Sequence, residues 1–481
     1  MKIIATRNRR IASLTRPITA AFVALFTGLA LDASAEESHR LKQIQHIIVV
    51  YQENWSFDSL YGNFPGANGF NNAFAFNGAH PQVDVNGHLI MALPQPLNNG
   101  SVDPRIPAGL PVQPYNLDRY LQPSQATGDI IHRFYHEQLQ IDAGTMDKFV
   151  TWSDNGGLVF SYFDASNLAE GKLAQKYVMA DNFFHSAFGG SFLNHQFLIA
   201  ARAPVFPNAP ASSLSNPDPK HLNDNRVTPD GFAVNTIFTK NLLPSFSAPN
   251  DPNLLPSQND SDSTKANYIP TIGDRLSEKG ISWKWYSGGW DLANADPSAA
   301  TAALFQWHHQ PLAYYDNYAP GTPGRTAHLQ DEQNFFSDVA QGTLPAVSFV
   351  KPLGPDNEHP GYANLLQGQN HVAAIVQAVR DSKYWKNSAI IVTYDENGGR
   401  WDHVPPPVID SFGPGTRVPA IIISHFAKRH FVDHTPYETL SILKFIENRF
   451  GLGPLTARDA SANDLTNAFN LGDERDEEDD N

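Results

Sequence analysis

Six short runs of β-branched, aliphatic and aromatic residues constrain this chain more than anything else in it. They are HIIVVYQ (46–52), KYVMAD (176–181), SWKWYS (282–287), AVSFV (346–350), AIIVTYD (389–395) and VPAIIIS (418–424). Each reads as a strand buried on both faces. Helical patterns stand between them, such as NHVAAIVQAVRDSKYW (370–385). The clearest helix start is TPYETLSILKFIENRFG (435–451), where Thr435 suits the N-cap, Pro436 the first helical position and Glu438 a capping box. Leu440, Leu443 and Ile446 then recur at helical spacing, and Gly451 ends the helix. Strands alternating with helices predict an α/β fold, a largely parallel central sheet flanked by helices.

The 481 residues suffice for one large domain, and 8 Trp, 16 Tyr and 30 Phe supply its core. Residues 1–35 read as a signal peptide: a basic start, the apolar run ITAAFVALFTGLALDASA, and a small-residue site, Ala33-Ser34-Ala35, before Glu36. That predicts a periplasmic or secreted protein with no stable membrane anchor after cleavage. The segment holds Lys2, Arg7, Arg9, Arg10 and Arg16 against one acid, Asp32, so the formal net charge of −15 becomes −19 without it. Such a balance excludes a nucleic-acid surface as a long-range partner. With no cysteine, disulfides, thiolate metal sites and Cys nucleophiles are excluded too. The catalytic domain is expected over 36–470, with a loop-rich insertion over the sheet edge at 203–274 and an acidic, disordered tail at 471–481.

Two of the predicted strands end alike. HIIVVYQ runs into Glu53-Asn54, and AIIVTYD runs through Asp395 into Glu396 and then Gly398-Gly399. Adjacent carboxylates repel. A cation between them removes that cost, and ligands gather at the carboxyl ends of parallel strands. Glu53, Asn54, Asp395 and Glu396 therefore predict one all-oxygen site for a divalent metal ion, Ca²⁺, Mg²⁺ or Mn²⁺. Taken singly, either pair would be an ordinary turn. A third segment, ADNFFHSAFGGSFLNHQFLIAARA, leads through Gly189-Gly190 to Ser191 at the head of a helix. That serine is either an N-cap or a nucleophile activated by the metal. It is not in a G-x-S-x-G elbow, since position 193 is Leu. Histidines at 132, 136, 308, 309, 359 and 403 offer phosphate contacts and a proton donor.

In combination, ENWSFDSLYG, GTMDKFV, FGGSFLNHQ, FQWHHQP, NEHP and YDENGGRWDHVPPP resemble the bacterial phosphoesterase family of acid phosphatases and phosphatidylcholine-type phospholipases C. That family looks like a branch of the alkaline-phosphatase superfamily. The ordered series spans residues 46–450. The resemblance implies an alkaline-phosphatase-like fold and a single divalent metal held by Glu53, Asn54, Asp395, Glu396 and Ser191, with Ser191 as nucleophile. It implies catalytic roles for His132, His309 and His359, and substrate contacts from His136, His308, Asn194, Asp402 and His403. Trp55 stands where the phospholipases usually have Arg, and His195 is another departure from them. Both favour the acid phosphatase branch. The expectation is a phosphatase acting on small phosphomonoesters through a phosphoserine, more active below neutrality where imidazoles are charged. Its alternatives are a phospholipase C and a non-catalytic binding protein.

Overall fold

A computed structural model describes residues 40–73, 81–242 and 251–471. The expected signal segment and residues 472–481 of the acidic tail lie outside the described residues. The chain falls into two units, 1–43 and 44–481. Only 40–43 of the first are described, and the fold below belongs to the second.

Its centre is a sheet of eight strands: β1 His46–Gln52, β2 Val178–Ala180, β3 Trp283–Ser287, β4 Leu329–Asp331, β5 Val347–Lys351, β6 Ser388–Tyr394, β7 Ala420–Ser424 and β8 Phe431–Asp433. In space they run β8-β2-β7-β6-β1-β5-β3-β4. β1 pairs in parallel with both β5 and β6, β5 with β3, β3 with β4, and β8 with β2. β7 runs against its neighbours β6 and β2. The fold is thus the expected α/β architecture with one reversed strand. All of β5 and β6, and β1 from Ile47 onward, are buried. Each aliphatic side chain so enclosed contributes roughly 1.5–3 kcal/mol relative to exposure. This rigid centre can therefore carry charged groups at its end.

All six expected strands form, the first with the bounds expected and the others with ends shifted by at most two residues. β4 and β8 were not expected, because LQD and FVD are edge strands too short to show a period. The helices used below are α1 Phe57–Tyr61, α2 Phe134–Ile141, α3 Ala169–Lys176, α4 Ser191–Ala200, α5 Leu365–Arg380 and α6 Thr439–Phe450. α5 begins and ends five residues earlier than its pattern suggests, since Asn364 caps it by accepting from Gln367 N. α6 starts later than expected. Tyr437–Glu438 is extended and pairs with Phe183–Phe184, which moves the N-cap from Thr435 to Glu438. Thr435 instead bonds back to Asp433 Oδ1.

Over 203–274 the described residues form isolated bridges, one turn of 3₁₀ helix, and the start of a helix at Ile272–Glu278. The segment is anchored to the site's scaffold: Asn235 Oδ1 accepts from Phe134 N, and Asp224 Oδ2 from Tyr135 N and His136 N. Among the described residues no helix is long and apolar enough to cross a membrane.

Candidate catalytic and metal site

β1 and β6 lie in register with Gln52 opposite Tyr394, so Glu53-Asn54 and Asp395-Glu396 leave the sheet side by side at its carboxyl edge. The turns there are tight. Asn54 takes φ 66, a left-handed conformation that Asn tolerates better than most residues, and Gly398 takes φ 60. A side chain on Gly398 would strike the Asn54 carbonyl. Asp395 Oδ1 accepts from both Asn54 N (3.1 Å) and Glu396 N (2.8 Å), and Glu396 Oε2 accepts from Gly398 N.

Ser191 opens α4, and the N-cap position belongs to Gly190. The hydroxyl is therefore not used as a cap and donates to Glu53 Oε2 at 3.0 Å. Two side chains hold the loop before it. Asn194 braces Ala187 through both amide atoms, and Glu137 Oε2 accepts from Gly189 N at 2.6 Å while His185 holds its other oxygen. Ser191, His132, His308 and His359 line a cavity of about 420 Å³, together with Asp129, Arg133, Asp154, Asn235 and Thr236.

Beside Ser191, Asn54 Oδ1, Asp395 Oδ2 and Glu396 Oε1 are buried without a hydrogen-bond partner. Such orphans are costly in a native interior. Burial, and then the negative charges of Glu53 and Asp395, push the Asp395 and Glu396 carboxyls well above their ordinary range. A divalent cation would satisfy all three oxygens, and a set of carboxylate and amide oxygens suits a hard one. Burial alone would raise Glu53 as well, but His309 and Lys351 hold it well below the ordinary range. His309 Nε2 stands 3.0 Å from Glu53 Oε1, and the buried Lys351 ammonium meets the same oxygen. Glu53, His195 and His309 also bring ligand atoms within 4.8 Å of one another, yet Lys351 already occupies the Glu53 oxygen they share.

The histidines divide by orientation. His132 Nδ1 donates to Ile130 O (2.6 Å) and His359 Nδ1 to Pro360 O (2.5 Å), which leaves both Nε2 atoms facing Asn54 Nδ2 at 3.3 and 3.2 Å. The amide can donate to both rings while its oxygen stays free. His308 lines the cavity, whereas His309 turns inward to Glu53 and stacks on His195. Burial pushes His308 well down, His309 to about 4, and His359 below its ordinary value. Burial of these rings works against the charged imidazoles on which the expected rise of activity below neutrality depends.

Four expected substrate contacts do not line the cavity. His136 lies in the first turn of α2 and bonds Asp224 Oδ2 at 2.9 Å. Asn194 is spent on the Ser191 loop. Asp402 and His403 join Asp58 around the fully buried Arg417: Asp402 Oδ1 accepts from Arg417 Nε (2.8 Å), and His403 Nδ1 meets Asp58 Oδ2 (2.7 Å). With a guanidinium inside it, that trio is a brace between α1 and the 395–403 turn. Sequence reasoning missed Lys351, whose signal is a charge at the end of an otherwise apolar run. It also missed Asn235 and Thr236, which reach the cavity from the insertion.

The Phosphoesterase family profile matches residues 44–453. Phospholipase C A of Mycobacterium tuberculosis is 25% identical over 473 residues, covering 90% of this chain and 78% of that protein. The non-hemolytic phospholipase C of Pseudomonas aeruginosa is 24% identical over 486 residues, covering 92% of this chain and 59% of its own length. Among solved structures, a protein in the alkaline phosphatase superfamily from Vibrio parahaemolyticus aligns with a TM-score of 0.34 and 11% identity. That alignment covers 62% of this chain and 63% of the other.

Proposed function

This chain belongs to the Phosphoesterase family, and on that premise we propose that it is a metal-dependent hydrolase with Ser191 as nucleophile and phospholipase C-type phosphodiesters as substrates. The observation that carries the reading is the Ser191 hydroxyl, 3.0 Å from Glu53 Oε2 at the wall of an open cavity and beside three unpartnered buried oxygens. Glu53, Asn54, Asp395, Glu396 and Ser191 Oγ would hold the cation, which when bound would lower the hydroxyl's pKa and offset phosphate charge.

The chain's own residues supply the rest. Glu53 Oε2 fixes the direction of the Ser191 O–H, and the Asn194 and Glu137 braces keep the loop from moving under it. Ser191 Oγ forms a bond to phosphorus as the bond to the leaving oxygen breaks, and the proton given up by the Ser191 hydroxyl is balanced by the one that the departing alkoxide takes up as an alcohol. His132, His308 and His359 surround the space in which the non-bridging and leaving oxygens would lie. Water then displaces serine from phosphorus, restoring the hydroxyl.

The choice of diester over monoester rests on the phospholipase C relatives, which align along nearly the whole chain. The two residues that favoured monoesters do not reach the cavity. Trp55 is buried with its indole N–H on Glu358 O and Arg400 over its ring. His195 is 0% exposed behind Ser191. Neither can choose between substrates by contact. The test compares p-nitrophenylphosphorylcholine with p-nitrophenyl phosphate in the wild type and Ser191→Ala. The diester should be turned over with the higher kcat/KM, and S191A should lose at least about 10³-fold on both. Preference for the monoester returns the acid phosphatase reading, and an S191A variant as active as wild type rejects hydrolysis by this route.

A further inference from the structure

Among the described residues Lys351 is the one fully buried lysine. It closes β5, next to β1, and its Nζ donates to Tyr51 O at 3.0 Å and to Glu53 Oε1. It does not line the cavity, so it touches neither substrate nor Ser191. No arginine and no other lysine among the described residues contacts Glu53, Asn54, Ser191, Asp395 or Glu396.

Charge balance gives that placement a meaning. Three ionised carboxylates around a divalent cation leave one net negative charge, and the substrate phosphate is itself an anion. One ammonium on the ligand set brings the sum to zero. We propose that Lys351 is a positioning residue and built-in counter-charge: it turns Glu53 Oε2 toward Ser191, weakens the site's hold on the cation, and strengthens its hold on phosphate. The inference rests on the metal-site reading above. It differs from a merely structural role in sign, since loss of packing would weaken both ligands, whereas loss of charge moves them in opposite directions.

At an effective dielectric of about 20, a unit charge within roughly 10 Å changes a monovalent partner's binding by about tenfold or more. Calorimetric titration of Mg²⁺, Ca²⁺ and Mn²⁺ into the metal-free chain, and of inorganic phosphate into the loaded chain, reads both effects. Lys351→Gln keeps a donor for Tyr51 O without the charge. It should bind the cation at least about tenfold more tightly and phosphate at least about tenfold more weakly. Lys351→Arg should stay within roughly threefold of wild type on both. Weakening of both ligands in K351Q overturns the inference alone. A wild-type chain that binds no divalent cation overturns the metal site and this inference together. Should K351Q fail to fold, Lys351→Met, close to lysine in length and without its charge, takes its place in the same two titrations: opposite shifts support the counter-charge, and weakening of both ligands rejects it.

Discussion

Glu170 and Glu358 meet under the site in a place where both cannot be charged cheaply. Both are buried, at 0% and 1% exposure. The Tyr394 hydroxyl lies 3.0 Å from Glu170 Oε2 and 2.7 Å from Glu358 Oε2, but it has one proton to give. Glu170 Oε1 has no partner at all. Burial pushes Glu170 up to about 7, and burial followed by the charge of Glu170 pushes Glu358 well above its ordinary range. We predict that Glu170→Gln, which keeps an acceptor for Tyr394 and removes the ionisation, flattens the pH dependence of stability. The folded-state value lies above the ordinary 4.5, so the wild type's contribution is fully present below 4.5 and lost as pH rises toward about 7. The shift corresponds to about 3 kcal/mol as an upper bound for this coupled pair. Urea unfolding of both proteins at pH 5, 6, 7 and 8, with saturating divalent cation, measures it. E170Q should gain on wild type by up to about 3 kcal/mol between pH 5 and pH 8. A constant difference between the two across that range would refute the shared-proton account.

Two more outcomes are expected, one from the same electrostatics and one from the sequence of residues 1–35. Chelation should abolish activity and lower the melting temperature more at pH 8 than at pH 5, because the raised Asp395 and Glu396 carboxyls of the metal-free chain lose stability as pH rises. A cation held at 1,000 times its Kd would account for about 4 kcal/mol, and a melting curve indifferent to chelator at both pH values would contradict the site. Expressed with residues 1–35 in a bacterial host, the purified chain should begin at Glu36, whereas a protein beginning at Met1 would refute the export reading.

The part of the site legible in the sequence is the part that strands place. A strand's end is visible as the close of an apolar run, and in-register parallel strands bring their ends together. Hence Glu53-Asn54 and Asp395-Glu396 meet in space from two short motifs more than 300 residues apart. Ser191 was legible for a related reason, since Gly189 at φ 85 and Gly190 as N-cap force the chain to turn immediately before it. Lys351 also sat in plain view at the end of β5. Its meaning was not readable, because a terminal lysine normally reaches solvent and only the neighbouring β1 turns this one toward Glu53.

What the sequence did not reveal is which way each side chain faces, because helix starts and distant partners decide that. In HRFYH the two histidines are four residues apart and chemically equal. α2 begins at Phe134, so His132 stays on the preceding loop and faces the cavity, while His136 lies inside the first turn and meets Asp224 from the insertion. In WHH a 3₁₀ turn sends His308 to the cavity and His309 to Glu53. Asp402 and His403 were expected as substrate contacts beside the metal ligands, but Arg417, on the chain entering β7, ties Asp402 and Asp58 together there. The same limit bears on the expectation of monoesters. Trp55 and His195 favoured the acid phosphatase branch only as departures from the phospholipase pattern, and one packs under Arg400 and the other behind Ser191. Residue identity in a motif fixes the available chemistry, and substrate choice depends on the smaller set of side chains that reach the cavity wall. Here that set includes Asn235 and Thr236, contributed by a segment with no recognisable motif.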